Sequence, residues 1–412
     1  IKKPFCRAVI TEVGDGYGIL RFDADNLPSA DMSSPREMTF DSDGRITDRE
    51  FSWANEKEQL DGCIWKLYDK FRDTDVGMKV YFCTTYHFRP GILISHSERT
   101  TLTGVTIHSQ PGMGIVGFKS RDIHISSLSI VPSDGYDVST NTDATHFSSC
   151  SGTITVENSR FRGHGDDAIN VHNYYYAIAE SNGTHAVLTV RTPDGTHSQE
   201  QDYPMPGYKL ELVKKSTLEP YGIYEVLSAT EGDPCSVTLD GVIPDGDYMF
   251  ANLTDVPKLI FRGNDVREHL ARSVLCKTHG ALIENNSFEH NTGTAVHIAA
   301  EAQWGEGIAT ENVTVRGNTF TNCGFCSHGR MNGTSAVCVN TAADFPTGIG
   351  LHKNIVIENN RVACPQTADY AFSIANAKNV RIERNECTGY ARAIACVAYS
   401  EDITADFDYE EN

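Results

Sequence analysis

Two short segments concentrate the groups that could do chemistry: Asn141-Thr142-Asp143-Ala144-Thr145-His146-Phe147 and Gly163-His164-Gly165-Asp166-Asp167-Ala168-Ile169-Asn170-Val171-His172. Asp143 and Asp166 are 23 positions apart, about one turn of a repeat that runs through the chain. Residues one coil apart in a stacked parallel sheet sit side by side, roughly 4.8 Å apart. The spacing therefore predicts one ledge carrying Asp143, Asp166 and Asp167. Clustered carboxylates repel, which raises at least one pKa and leaves a proton donor beside ionised bases. That division of labour is what glycoside hydrolysis needs, with an inverting pair roughly 6.5–9.5 Å apart around a water. Adjacent aspartates in a regular strand would point to opposite faces, one of them into the core. Gly163 and Gly165 instead predict a bulge or corner that turns both toward solvent. A calcium site or a solvated acidic corner is the alternative.

Other polar residues group around this ledge. His146 and His172 flank it and are read as touching substrate hydroxyls, with a structural hydrogen-bonding role as the alternative. Asn170 lies between Asp167 and His172 and is read with them. The segment Trp304-Gly305-Glu306-Gly307 reads as a polar loop. Its Trp would stack on a pyranose face and its acid would fix hydroxyls, unless Trp304 packs in the core. Arg272 is placed to reach a hydroxyl or to hold a carboxylate.

The elements that must position these groups are short apolar alternations, each followed by an Asn. Examples are Ile154 to Asn158, Leu259 to Asn264, Leu282 to Asn286, Val313 to Asn318, Ile355 to Asn360 and Val380 to Asn385. Asn264 and Asn286 are 22 apart and Asn360 and Asn385 are 25 apart, with wider gaps read as inserted loops. Leucine-rich repeats share this period, but their Leu frame is missing and no helical periodicity fills each unit. The prediction is an all-β right-handed parallel β-helix, a solenoid with inserted small β-barrel or sandwich modules. Asn or Gly at each corner would take the left-handed backbone of a sharp bend, and the repeated Asn would stack as a ladder. Residues 1–90 read as a barrel-like N-terminal β module whose beginning is incomplete. Residues 91–173 read as coils bearing the ledge, 174–257 as an inserted β-barrel rich in turn signals, and 258–412 as further coils with a C-terminal cap. A barrel inserted directly after His172 would wall the ledge, which suits a short terminal sugar.

Composition sets the outer limits. A net charge of −20 argues against nucleic acid and anionic membrane partners, because phosphate recognition needs basic patches. No apolar run is long enough for a membrane span. The chain opens at Ile1-Lys2-Lys3 without an initiator Met, so its start reads as processed or trimmed, and a secreted or periplasmic location is expected. Twelve cysteines are diluted over 412 residues. Cys276, Cys338 and Cys396 are expected inside coils as small hydrophobes. Cys323-Gly324-Phe325-Cys326 has zinc-like spacing without a second pair, so no metal is predicted, and a local disulfide stays open.

Asn141-Thr142-Asp143 and Asp166-Asp167 resemble the three-aspartate ledge of the polygalacturonases, although Gly163-His164-Gly165 precedes the pair and no Arg-Ile-Lys follows. A closer resemblance is to glycoside hydrolase family 110, the exo-acting α-1,3-galactosidases. It rests on Gly91-Ile-Leu-Ile-Ser-His96, Asp143-Ala-Thr-His-Phe147, Asp166-Asp-Ala-Ile-Asn-Val-His172, Ala271-Arg272 and Trp304-Gly-Glu306, and runs from about residue 80 to 400. Members of that family usually carry several β-helix coils before the first barrel, and this sequence lacks them. The resemblance implies hydrolysis of a non-reducing-end α-1,3-linked galactose with inversion. It implies Asp166 as general acid, Asp143 and Asp167 activating water, and no cofactor. The partners expected are a galactose-terminated glycan, blood-group B-like or linear, and further copies of the chain in a homo-oligomer. Three other classes compete. They are another inverting enzyme of the polygalacturonase type, a carbohydrate-binding β-helix without activity, and a polysaccharide lyase, which would need a calcium cluster and a basic residue.

Overall fold

A computed structural model describes residues 3–30, 32, 36–85, 89–190, 202–326 and 335–412. Among them, strands beginning with Ile92–Ser95, Glu98–Thr103 and Thr106–Ile107 recur coil after coil and stack into three parallel sheets. One of these is nine strands long, ending at Glu401–Ala405, and another is eight, ending at Glu386–Thr388. Together the sheets form a parallel β-helix. Its core is a column of β-branched and aromatic side chains pointing inward from successive coils, such as Ile154, Leu259, Ala281, Val313, Ile355 and Val380. Phe161, Phe261, Phe288 and Phe320 stack through this core with ring centroids 5.1–6.3 Å apart. Inward positions alternate with outward ones because the strand period is two.

The corner works differently from the expected division of labour. The residue before each ladder position, not the ladder residue, takes the left-handed backbone: Asn158, Gly263, Asn285, Gly317, Asn359 and Arg384 all have positive φ. The next residue forms the ladder. Asn264, Asn286, Asn318 and Asn360 each donate Nδ2–H to Oδ1 of the Asn on the following coil at 2.9–3.1 Å, ending at Asn385. The same Oδ1 accepts the backbone N–H of the preceding rung, so a buried side chain is satisfied on both sides. In the first coil of the pattern Ser159, not Asn158, holds the ladder position, and the Ser159 backbone N–H reaches Asn264 Oδ1. Twelve cysteines are free. Cys276 lies in the core, whereas Cys338 and Cys396 sit between inward residues (Val337 and Val339, Ala395 and Val397) and therefore point outward. Cys323 is buried with its thiol on the carbonyls of Phe288 and Thr321.

Two antiparallel modules flank this solenoid. Strand Ile169–Asn182 begins in a coil and continues outward, so the inserted module starts inside one unbroken strand. Its outer half pairs with His185–Thr189 and Tyr248–Asn252. The ring closes through Lys209–Lys214, Pro220–Ala229 and Cys235–Leu239 into a six-stranded barrel. Lys119 of the helix holds it down, with Nζ 2.5 Å from Asp202 and 2.8 Å from Asp255. The N-terminal module is a six-stranded antiparallel sheet from Phe5–Gly14 to Lys79–Cys83, open rather than closed among the described residues. It docks beside the ledge. Tyr81 donates to Asp137 at 2.8 Å, and Asn141 donates to the carbonyls of Pro4 and Thr85, both at 2.9 Å.

Candidate active site

Register brings the acidic groups together. Thr145 pairs with Ile169 and Ile169 with Val274, so Asp143, Asp167 and Arg272 occupy equivalent places on three successive coils. Backbone bonds from Ala144 N–H to Asp167 and from Ala168 N–H to Arg272 lock this column at 2.9 and 3.1 Å. The true repeat here is 24 residues, so Asp143 lies opposite Asp167, with Asp166 in the turn beside it. Gly165 presses that turn onto the backbone of Asn141, an approach a Cβ would block. Oxygens of the three carboxylates come within 4.8 Å of one another. The bound applies to one oxygen of each carboxylate, with Asp143 and Asp167 one coil rise apart. Two carboxylate oxygens about 4.6 Å apart can accept both hydrogens of one water at ordinary distances.

The two adjacent aspartates do not both face solvent, contrary to the sequence expectation. Asp167 is buried and Asp166 is partly exposed. Arg272 makes that burial tolerable, with Nε and Nη2 on the two Asp167 oxygens at 2.8 and 2.9 Å. Of the two roles expected of Arg272, it fills that of holding a carboxylate. Burial pushes the Asp167 pKa up to about 7, with Arg272 pulling it down and Asp166 and Asp143 pushing it further up. Asp166 has a different partner: Arg36 of the N-terminal module donates from Nη1 to its Oδ2 at 2.6 Å and also to the carbonyl of Gly165. A guanidinium so close favours ionised Asp166.

His146 and His172 stand behind the ledge rather than on it. Each is buried, and both nitrogens of each ring are engaged. His146 Nδ1 is 2.7 Å from Asp143 Oδ2 and its Nε2 is 2.9 Å from His172 Nε2, while His172 Nδ1 is 2.8 Å from the carbonyl of Asn173. No ring nitrogen is left for a sugar hydroxyl, so the structural alternative holds for both. Asn170 is buried and donates to Glu306 Oε2 at 3.3 Å.

The segment at 304–306 returns to this region as a short strand and not as an open loop. Glu306 pairs with Tyr174 and Gly307 with Asn173, and Glu306 is buried. Trp304 ends a short 3₁₀ turn, Ala302–Trp304, and is 41% exposed, so it is not a core residue.

Sequence reasoning left four neighbours out of the site. Lys277 is wholly buried and lies between Glu301, at 2.5 Å, and Glu306. Glu301 also accepts from Arg272 at 3.1 Å. Burial would raise the Glu301 pKa, but Lys277 and Arg272 outweigh it and hold it at about 2. His164 stacks on His269 at 4.0 Å and donates from Nδ1 to the carbonyl of Asp166, fixing the turn that presents the acid. Arg36 is the fourth. Lys277 directly follows the strand Val274–Cys276 that Arg272 leads into, a signal the sequence carried, but nothing in the sequence pointed to Arg36. The ledge thus has two arginines in contact, where the sequence placed one at most.

Three such oxygens can gather round a divalent cation. Here Arg36 and Arg272 supply the positive charge instead, and among the described residues no His or Cys joins the group. Calcium would want six to eight oxygens. The group is a set of three carboxylates held by two guanidinium groups.

Comparisons with known proteins fit that arrangement. A family model described as right-handed β-helix region matches residues 251–408, and one described as glycosyl hydrolases family 28 matches residues 87–186, which include the ledge. An α-1,3-galactosidase B of Akkermansia muciniphila is 30% identical over 325 residues, 76% of this chain and 40% of that protein. An α-1,3-galactosidase B of Bacteroides fragilis is 30% identical over 259 residues, 57% of this chain and 42% of that protein. An α-1,3-galactosidase A of Peterkaempfera griseoplana is 31% identical over 301 residues, 66% of this chain and 40% of that protein. The chain spans about two fifths of the length of these curated relatives. It is their homologue, and the resemblance drawn from its motifs holds.

Proposed function

We propose that this homologue of the α-1,3-galactosidases is an exo-acting glycoside hydrolase that releases terminal α-1,3-linked galactose. The observation that carries the reading is the meeting of Asp143, Asp166 and Asp167 on adjacent coils, within 4.8 Å of one another. The modules on either side of the ledge favour a terminal sugar over the middle of a long chain. An acidic protein acting on a neutral glycan suits a secreted or periplasmic setting.

In the proposed step, a water lies between Asp143 and Asp167. Its oxygen bonds to the anomeric carbon as the glycosidic carbon–oxygen bond breaks. The leaving oxygen takes the proton of Asp166, the water's proton passes to a carboxylate of the ledge, and galactose leaves with inverted configuration. Arg36 favours ionised Asp166 in the sugar-free protein, so the donor role requires the incoming acceptor sugar to loosen that pair. An Asp167 pKa near the working pH suits a general base.

One observation favours a second reading. Carboxyl groups this close resemble the roughly 5–5.5 Å spacing of retaining enzymes more than that of inverting ones. Retention would run through a galactosyl-enzyme on one ledge aspartate. Proton NMR of the anomeric signals during cleavage of an α-1,3-galactosyl disaccharide decides the matter. Immediate appearance of β-galactose is expected, α-galactose would establish retention, and no release with retained binding would leave a lectin-like β-helix.

A further inference from the structure

The hydrogen bonds behind the ledge need one proton more than two neutral rings supply. Four groups stand in a row: the Asp143 carboxyl, the His146 ring, the His172 ring and the carbonyl of Asn173. They make three contacts, at 2.7, 2.9 and 2.8 Å. Each contact needs one hydrogen. The Asn173 carbonyl can only accept, so His172 must carry its proton on Nδ1. A neutral His172 then presents a lone pair at Nε2, and His146 must donate to it from its own Nε2. A neutral His146 consequently presents a lone pair at Nδ1, facing Asp143. Two neutral rings supply two hydrogens, and the third has to come from elsewhere. An ionised Asp143 would oppose its lone pair to that of His146 at 2.7 Å, which is repulsive.

The missing proton could sit on either imidazole or on the carboxyl. Both rings are nearly inaccessible to solvent, as is Asp143. Burial disfavours an imidazolium and favours a neutral carboxylic acid. The His172 pKa is lowered to about 3 by burial, with Glu306 pulling it up and His146 and Lys277 pushing it down. That of His146 is lowered as well, burial again leading. Both trends favour neutral rings, and burial favours the neutral carboxyl beside them.

We infer that Asp143 enters the reaction protonated, its hydroxyl donating to His146 Nδ1, so that Asp143 orients the attacking water without taking its proton. Asp167 is then the one base of the ledge, and His146 and His172 are positioning residues that fix the proton of Asp143 through the Asn173 carbonyl. This rests on the hydrolytic reading of the ledge and sharpens it, since the two aspartates beside the water stop being equivalent.

The test has two arms. Nitrogen-15 NMR of the histidine-labelled, unmutated protein at neutral pH reads the tautomers directly, with signals assigned by their loss in His146→Gln and His172→Gln. The expected result is His146 protonated on Nε2 alone and His172 on Nδ1 alone. Protonation of His146 on Nδ1 would overturn the inference. This arm needs no substrate, so it stands even if no galactose is released, an outcome that would sink only the activity. The second arm compares Asp143→Asn with Asp167→Asn on the galactosyl disaccharide. An amide at 143 can donate to His146 as the carboxylic acid does, so kcat/KM should fall no more than about tenfold. At 167 the base is lost, and about a thousandfold loss is expected. Equal, large losses in two folded variants would make Asp143 a base and overturn the inference.

Discussion

Arg36 and Arg272 reach neighbouring aspartates from opposite directions and on different terms. Arg272 belongs to the coil stacked on Asp167, makes three hydrogen bonds to it counting its backbone N–H, and extends to Glu301. Arg36 comes from a separate sheet and touches Asp166 with one nitrogen, in a pair that keeps about a fifth of each side chain in solvent. A contact made by coil register is fixed as firmly as the strand ladder itself. One made by a docked module depends on that docking and can yield when a ligand arrives. The solenoid therefore holds the buried charge in place, while the N-terminal module attends the carboxylate proposed as proton donor.

The largest effect separating the two should come from Arg272→Met. Removing one partner of a buried ion pair leaves Asp167 and Glu301 uncompensated, at a cost on the order of 3–5 kcal/mol. Chemical denaturation should show this loss of stability. Arg36→Met, at a partly exposed pair, should change the midpoint little. Similar losses in both would mean that the N-terminal module is as integral to the fold as a coil.

Asp166→Asn comes next. Loss of a general acid should lower kcat about a thousandfold on an unactivated galactoside, close to 4 kcal/mol of barrier. A nitrophenyl galactoside, whose leaving group needs little protonation, should suffer much less. Equal losses on the two substrates would remove Asp166 from the donor role.

The pH profile separates the two arginines more finely. A base must be ionised to work, so kcat, which reports the sugar complex, should fall as pH drops through about 7, where burial places Asp167. The opposite limb belongs to the acid. Removing the Arg36 guanidinium stabilises protonated Asp166, so in Arg36→Gln the alkaline limb should move to higher pH while the acid limb stays. A profile unchanged in Arg36→Gln would show that the pair is already broken in the sugar complex.

What could be read in the sequence follows the same split. The stacking of Asp143 on the aspartate pair was legible because it depends only on repeat length, and Arg272 fell on that register. The ladder was legible too, although off by one residue in its first coil, since Asn158 and Ser159 can each fill a corner. The burial of Asp167 was not legible, because it depends on a bidentate partner 105 positions away. The histidines were misjudged because spacing places a ring near a ledge but does not say which side of it. Arg36 belongs to no repeat, and only the docking of the module brings it 130 positions along the chain to Asp166.

Trp304 offers the smallest and most selective effect. The segment is anchored just after the indole: Gly305 takes a left-handed backbone with φ 67°, its carbonyl accepts Tyr175 N–H at 2.8 Å, and Glu306 pairs with Tyr174. Those backbone contacts survive truncation of the side chain. With 41% of the residue exposed, Trp304→Ala loses only part of the burial energy of a core Trp. The melting temperature should therefore stay close to that of the unmutated protein. On the proposed function, the indole would contribute by stacking on the sugar face, a contact present in both ground and transition states. Its loss should raise KM several-fold and leave kcat nearly unchanged, the signature of uniform binding. A fall in kcat with KM constant would mean that Trp304 acts on the geometry of Glu306 and the chain behind it. A drop in melting temperature with both constants unchanged would return the residue to a purely structural role.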